Sequence, residues 1–98
     1  MRVERSAKKE VTIHENIKSI DDFLKISAQV NEVVQEGGGE LYLKIPDSIS
    51  MPSSVIGLLL KLKNQNGVRI EISVGDHRLY ELLDELNLVQ ELGVRHGN

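Results

Sequence analysis

Apolar and polar positions alternate in three stretches. Val11 and Ile13 alternate with Thr12 and His14, Leu41, Leu43 and Ile45 with Tyr42 and Lys44, and Val68, Ile70, Ile72 and Val74 with Arg69, Glu71 and Ser73. A period of two marks a strand with one buried and one wet face. Strands covered by helices on both sides would instead be continuously apolar, so most helices are expected against a single face. Helical patterns fill the intervals. Ile20, Phe23, Leu24, Val30, Val33 and Val34 form a stripe preceded by Ser19 as N-cap, with Asp21 and Asp22 at the positive end of the helix dipole. Pro52 to Lys63 reads as a second helix, with its proline suited to the first turn. Asp76 can cap a third, built on Leu79, Leu82, Leu83 and Leu86 and stopped by a left-handed Asn87. Gly37, Gly38 and Gly39 read as a helix end and turn before a strand that begins at Glu40, and Leu88, Val89 and Leu92 as a short last turn or helix. Residues 2–5 add a first strand that hairpins into the second.

This order predicts a single-domain α/β fold over residues 1–98. Its expected form is a small, mostly parallel sheet of four to five strands with an antiparallel N-terminal strand and three to four helices mainly on one face. The second helix carries an apolar surplus. Val55, Ile56, Leu58, Leu59, Leu60 and Leu62 span an arc of about 200°, where one core contact needs about 100°. Neighbouring elements or a partner protein must cover the excess.

Composition narrows the function. Twelve basic and fifteen acidic residues among 98 give a formal charge of −3, with the cations scattered among acids, so nucleic-acid binding is not expected. Phe23, Tyr42 and Tyr80 are the only aromatic residues, too few for a base- or sugar-stacking platform. No cysteine is present, which removes disulfides, thiol nucleophiles and thiolate metal sites and suits a reducing cytoplasm. His14, His77 and His96 fit no zinc-binding spacing, and no metal or cofactor is expected. The triple glycine lacks the lysine and hydroxyl of a phosphate loop. Ser53 with His77 and Asp76 lacks the Gly-x-Ser-x-Gly elbow of a hydrolase, and Asp76 is better used as a cap, so catalysis is not expected. The charged opening Met1–Glu10 and the short apolar run Leu58–Leu60 predict neither a signal peptide nor membrane insertion, and a cytoplasmic location follows as the expectation.

The segment Leu41-Tyr42-Leu43-Lys44-Ile45-Pro46-Asp47-Ser48-Ile49-Ser50-Met51-Pro52-Ser53-Ser54-Val55-Ile56-Gly57-Leu58-Leu59 resembles, without gaps, the signature of the STAS domain of bacterial anti-sigma-factor antagonists. That signature is an apolar strand ending in Asp-Leu-Ser, a short loop, and Ile-Asp-Ser-Ser-Gly-Leu-Gly opening a leucine-rich helix. Ser53 and Ser54 fall on its serine pair, Ile56 on its leucine and Gly57 on its second glycine. Gly67–Ile72 looks like the family's next strand, and Leu82–Leu92 is similar to its Leu-x-x-x-Gly-Leu-x-x-x-Phe ending, so the likeness spans nearly the whole chain.

The resemblance implies a non-catalytic switch. In the family the first serine of the pair is phosphorylated by a kinase that is also the anti-sigma factor. The unphosphorylated domain binds that kinase and frees the sigma factor. Carried over, Ser53 is the phosphorylation site, with Ser54 as second choice. The partner-binding surface is Asn16, Ser19, Ser50, Met51, Pro52, Ser53, Ser54, Val55, Leu58 and Leu62. The implied partner is an ATP-binding serine kinase and anti-sigma factor or another STAS protein, and the chain itself is a monomer or weak homodimer. The chain departs from the signature at Pro52, where the family has Asp, at Val55, where it has Gly, and at Lys44, where the strand ends in Asp; a further family Asp before the first helix has only Asn16 and Ser19 as counterparts. These departures favour the alternative of an unphosphorylated STAS-type scaffold or accessory subunit of a stress-signalling or lipid-transport complex, whereas the small chain favours the switch.

Overall fold

The computed structural model describes residues 1–97. Eight elements follow one another: β1 (Val3–Ala7), β2 (Glu10–Ile13), α1 (Ile20–Gln35), β3 (Glu40–Ile45), α2 (Ser53–Asn66), β4 (Arg69–Val74), α3 (His77–Glu85) and β5 (Val94–His96). They form the expected α/β fold, a five-stranded mixed sheet in the order β1-β2-β3-β4-β5 with three helices. β1 and β2 make an antiparallel hairpin, and β2 to β5 are parallel to one another. Each crossover steps one strand in the same direction, and the right-handed rule then puts all three helices on one face. Burial agrees. Val11, Ile13, Leu41, Leu43, Ile45, Ile70, Ile72, Val74 and Val94 are buried from the sheet, together with Ile26, Val30 and Val33 of α1, Val55, Leu59 and Leu62 of α2, and Leu79 and Leu83 of α3. The opposite face presents Glu10, Thr12, Tyr42, Lys44, Glu71, Ser73 and Arg95 and carries no helix.

Helix ends follow local chemistry. Ser19 caps α1 in a reciprocal box: its hydroxyl accepts from the Asp22 N–H at 3.2 Å while the Asp22 carboxylate accepts from the Ser19 N–H at 3.2 Å. Gly67, in the left-handed region at φ 67°, ends α2, and Asn87 takes φ 60° after α3 as anticipated. α2 runs to Asn66 rather than Lys63, and Pro52 stands at its N-cap with extended backbone rather than inside its first turn. Among the described residues beyond Asn87 no fourth helix forms. Residues 88–93 turn and deliver the strand β5, whose three residues are too few for an alternating pattern to announce.

One charged strap fastens the hairpin to the first helix. The Arg5 guanidinium donates to Glu36 at 2.7 and 2.8 Å, to Glu32 at 3.1 Å and to the Lys8 carbonyl. Its hydrogen bonds hold the Glu36 carboxyl below the ordinary glutamate range.

Candidate functional site

Parallel strands end on one edge of the sheet, so the loops after β2, β3 and β4 emerge together there. These loops are sewn to each other. The buried hydroxyl of Ser48 donates to the Ser50 carbonyl at 2.7 Å and accepts from the Ile17 N–H at 3.2 Å. The Asn16 side-chain carbonyl accepts from the Ile49 N–H at 2.9 Å. Glu15 sits at φ 71°, unusual for a non-glycine residue, and the N-terminal ammonium of Met1 lies 3.5 Å from its carboxylate. Below this rim Met51 plugs the core at 5% exposure. After β4, Gly75 leaves no room for a Cβ, which would strike the Pro46 carbonyl.

Ser53 and Ser54 open α2 on the same rim, and both are exposed. The N-cap is Pro52, which has no side-chain acceptor; its carbonyl takes the N–H groups of Val55 and Ile56 at 3.0 and 3.2 Å. Among the described residues the N–H groups of Ser53 and Ser54 have no hydrogen-bond partner. The start of α2 is therefore an unclaimed pair of donors at the positive end of a helix dipole, flanked by accessible hydroxyls.

The residues expected to bind a partner divide by burial. Asn16, Ser19, Ser50, Pro52, Ser53 and Ser54 reach the surface, and Leu58 is half-buried. Met51, Val55 and Leu62 are in the core at 5%, 0% and 5% exposure, so they are not a contact surface; Met51 and Val55 adjoin the start of α2, and Leu62 is buried toward its far end. Their burial also answers the surplus on α2: Ile56, Leu58 and Leu60 pack partly against the core, leaving no exposed leucine stripe. Exposed apolar area lies elsewhere. Ile20 is 76% exposed, Leu24 56% and Ile49 40%. The first two sit one helical turn apart at the start of α1, and Ile49 lies in the loop hydrogen-bonded to Asn16. The helical wheel could have revealed this: with Ile26, Val30 and Val33 defining the buried line, Leu24 falls about 160° away from Ile26.

The charged groups near the rim have structural employment. Asp22 is held below the ordinary range chiefly by the Lys18 N–H at 2.8 Å. The Asp76 carboxylate is chelated by the Arg78 guanidinium at 2.9 and 3.0 Å and caps α3, which holds it down to about 2. His14 shares its Nε2 between Glu4 at 2.7 Å and Arg2 at 3.0 Å. His77 pairs with Glu81 at 2.7 Å, and its ring centroid lies 5.7 Å from that of His96. Among the described residues no group of three or more His, Asp or Glu side chains is placed to hold a metal ion. Comparisons of the chain with protein-family models, with curated proteins and with solved structures find no match.

Proposed function

We propose that the chain is a non-catalytic signalling module of the anti-sigma-factor-antagonist type. Its rim, formed by the loops at Asn16–Ser19 and Ser50–Pro52 and the first turn of α2, docks an ATP-binding serine kinase of the anti-sigma class, and phosphorylation of Ser53 ends the interaction. The observation that carries this reading is the exposed Ser53 hydroxyl at the uncapped start of a 14-residue helix. A phosphate there gains unclaimed backbone donors and the helix dipole. It also adds a charge of about −1.5 to −2 to a docking surface, repelling an acidic partner face without requiring the domain to refold. Ile20, Leu24 and Ile49 supply the apolar component that a protein partner would bury.

Binding of this kind needs no cofactor, and the proposed setting is the bacterial cytoplasm; no helix among the described residues is long and apolar enough to cross a membrane. Pro52 supports a second reading. It removes the acidic neighbour that a family kinase recognises, and a chain left unphosphorylated would serve as a permanent scaffold or accessory subunit of a stress-signalling or lipid-transport complex.

The test is incubation of the chain with ATP and the serine kinase encoded beside it, followed by mass spectrometry. The expected result is a gain of one phosphoryl group that Ser53→Ala abolishes, with weaker kinase binding by the modified chain. No gain, with binding retained, favours the scaffold. Neither modification nor binding overturns both readings.

A further inference from the structure

The rim accounts for one edge of the sheet and leaves its helix-free face unexplained. Parallel strands are almost always covered on both faces, yet among the described residues no helix lies over the outward side chains of β2 to β5; Thr12 and Glu10 reach sideways to Ser6 of the neighbouring β1 at 2.7 and 3.1 Å. Those side chains fall into two rows that the register fixes. The upper row is Thr12, Lys44, Ser73 and Arg95, paired strand to strand. Two residues lower lie Glu10, Tyr42 and Glu71, also adjacent across the strands. Among these residues the upper row is cationic and the lower one anionic; the register continues the upper row to Glu4 on β1 and pairs Glu40 with the exposed Arg69 below the anionic row.

Within the chain these charges are loosely spent. Lys44 lies 3.6 Å from Glu10 and Arg95 lies 3.6 Å from Glu71, with the two cationic side chains 51% and 73% exposed. Glu4 at the β1 end of the face is already engaged by His14 and Arg2, and Glu40 at the lower end by Lys9. Two clefts on this face, about 270 Å³ beside Lys44 and Ser73 and about 150 Å³ beside Tyr42 and Arg95, are smaller than most small-molecule sites at about 300–1,000 Å³, and a third of about 410 Å³ beside Lys9, Glu10 and Tyr42 is a wide, open depression at the hairpin edge. A broad, shallow, bipolar surface fits another broad surface of inverted charge.

We propose that this face is a self-association surface whose occupant is a second copy of the chain. A two-fold axis lying between two stacked sheets, perpendicular to the strands and midway between the rows, turns the cationic row of each copy onto the anionic row of the other. Lys44 then stands over Tyr42 of the second copy between its Glu10 and Glu71, and Arg95 stands beside that Glu71. The strands hold 5, 4, 6, 6 and 3 residues, which at a rise of about 3.3 Å and a spacing of about 4.8 Å give a face of about 400 Å² per copy. The total of roughly 800 Å² is well below the usual range for tight complexes, so the dimer is weak and sensitive to salt. This surface is separate from the rim and does not rest on the function proposed there.

Sedimentation equilibrium of the intact chain tests it. The expected result at low ionic strength is a monomer–dimer equilibrium whose dissociation constant rises at least about tenfold between about 0.02 and 0.5 M salt. Lys44→Glu/Arg95→Glu and Glu10→Lys/Glu71→Lys are each expected to weaken self-association by more than about tenfold, and a mixture of the two to recover a heterodimer, because each then offers the row the other lacks. Thermal unfolding verifies the fold of each variant, with Lys44→Gln/Arg95→Gln replacing any charge reversal that fails to fold. A chain that stays monomeric at millimolar concentration in low salt overturns the proposal. So does a dimer indifferent to these substitutions, or a pair of folded variants that do not recover association when mixed.

Discussion

Ser48→Ala should loosen the rim while leaving its chemistry intact. The serine is fully buried, and its hydroxyl satisfies both the Ile17 N–H at 3.2 Å and the Ser50 carbonyl at 2.7 Å. Ile17 is itself only 3% exposed, so truncation strands its N–H away from water. An unsatisfied buried donor costs about 1–3 kcal/mol and the lost bond to the partly accessible Ser50 carbonyl about 1 more, giving about 2–4 kcal/mol in all. That is a large share of the roughly 5–15 kcal/mol of a typical domain. Urea unfolding followed by circular dichroism should show a lower midpoint with an unchanged slope. Ser50→Ala and Ser53→Ala are the controls: both side chains are exposed and hydroxyl-independent in the fold, so each should stay within about 0.5 kcal/mol of the parent. A loss below about 0.5 kcal/mol for Ser48→Ala would mean that water or a rearranged loop takes over both bonds, and the cross-link would not be what holds the rim.

Two glycines and one carboxylate give sharper contrasts. Gly57 lies in the exposed interior of α2 with nothing within 4 Å of a built Cβ, so Gly57→Ala should stabilise by about 0.5–1 kcal/mol. At Gly75 the same methyl meets the Pro46 carbonyl and Cα, so Gly75→Ala should destabilise by about 1–3 kcal/mol; equal effects at the two sites in thermal unfolding would refute the packing argument. Asp76 is held down to about 2 from an ordinary 3.8, so its contribution is fully present above about pH 4 and is lost as pH falls through about 2. Asp76→Asn keeps a side-chain cap but removes the charge, so the variant should lose less stability than the parent between about pH 5 and pH 2, and parallel urea-midpoint profiles would contradict this.

The parts of the fold set by local periodicity were legible in the sequence. Alternation located β2, β3 and β4, Ser19 and Asp76 located two helix starts, and the single wet face of each strand anticipated helices on one side of the sheet. Other features were misplaced. Ile20 and Leu24 entered the predicted core stripe although the helical wheel already turned them away from the line of Ile26, Val30 and Val33. The contacts of Ile26 and Val30 with the sheet decide the phase, and those two residues point away from solvent. Ser48 carried no sequence signal at all, since its burial depends on a loop 31 residues earlier supplying the Ile17 N–H. The expected site fared likewise: the exposure of Ser53 followed from helix position, whereas the burial of Val55 and Leu62 followed from how α2 rolls onto the sheet and α1.

Such a rim suits an electrostatic switch better than a conformational one. The Asn16–Ile49 and Ser48–Ile17 bonds tie together the two loops that flank Ser53, and Met51 anchors them to the core. Glu15 is kept at a left-handed φ that costs about 1–2 kcal/mol for an L-residue, which the surrounding hydrogen bonds must offset. A surface held this firmly would have little room to move under the proposed phosphorylation of Ser53. The effect on the proposed partner would then come through charge and desolvation, taking the formal balance from −3 to about −5. Kinase release by Ser53 phosphate should therefore weaken as salt screens the repulsion, while the amide spectrum of the Asn16–Ser19 loop stays nearly fixed. Wholesale shifts of those amides on phosphorylation would place the switch in the backbone instead.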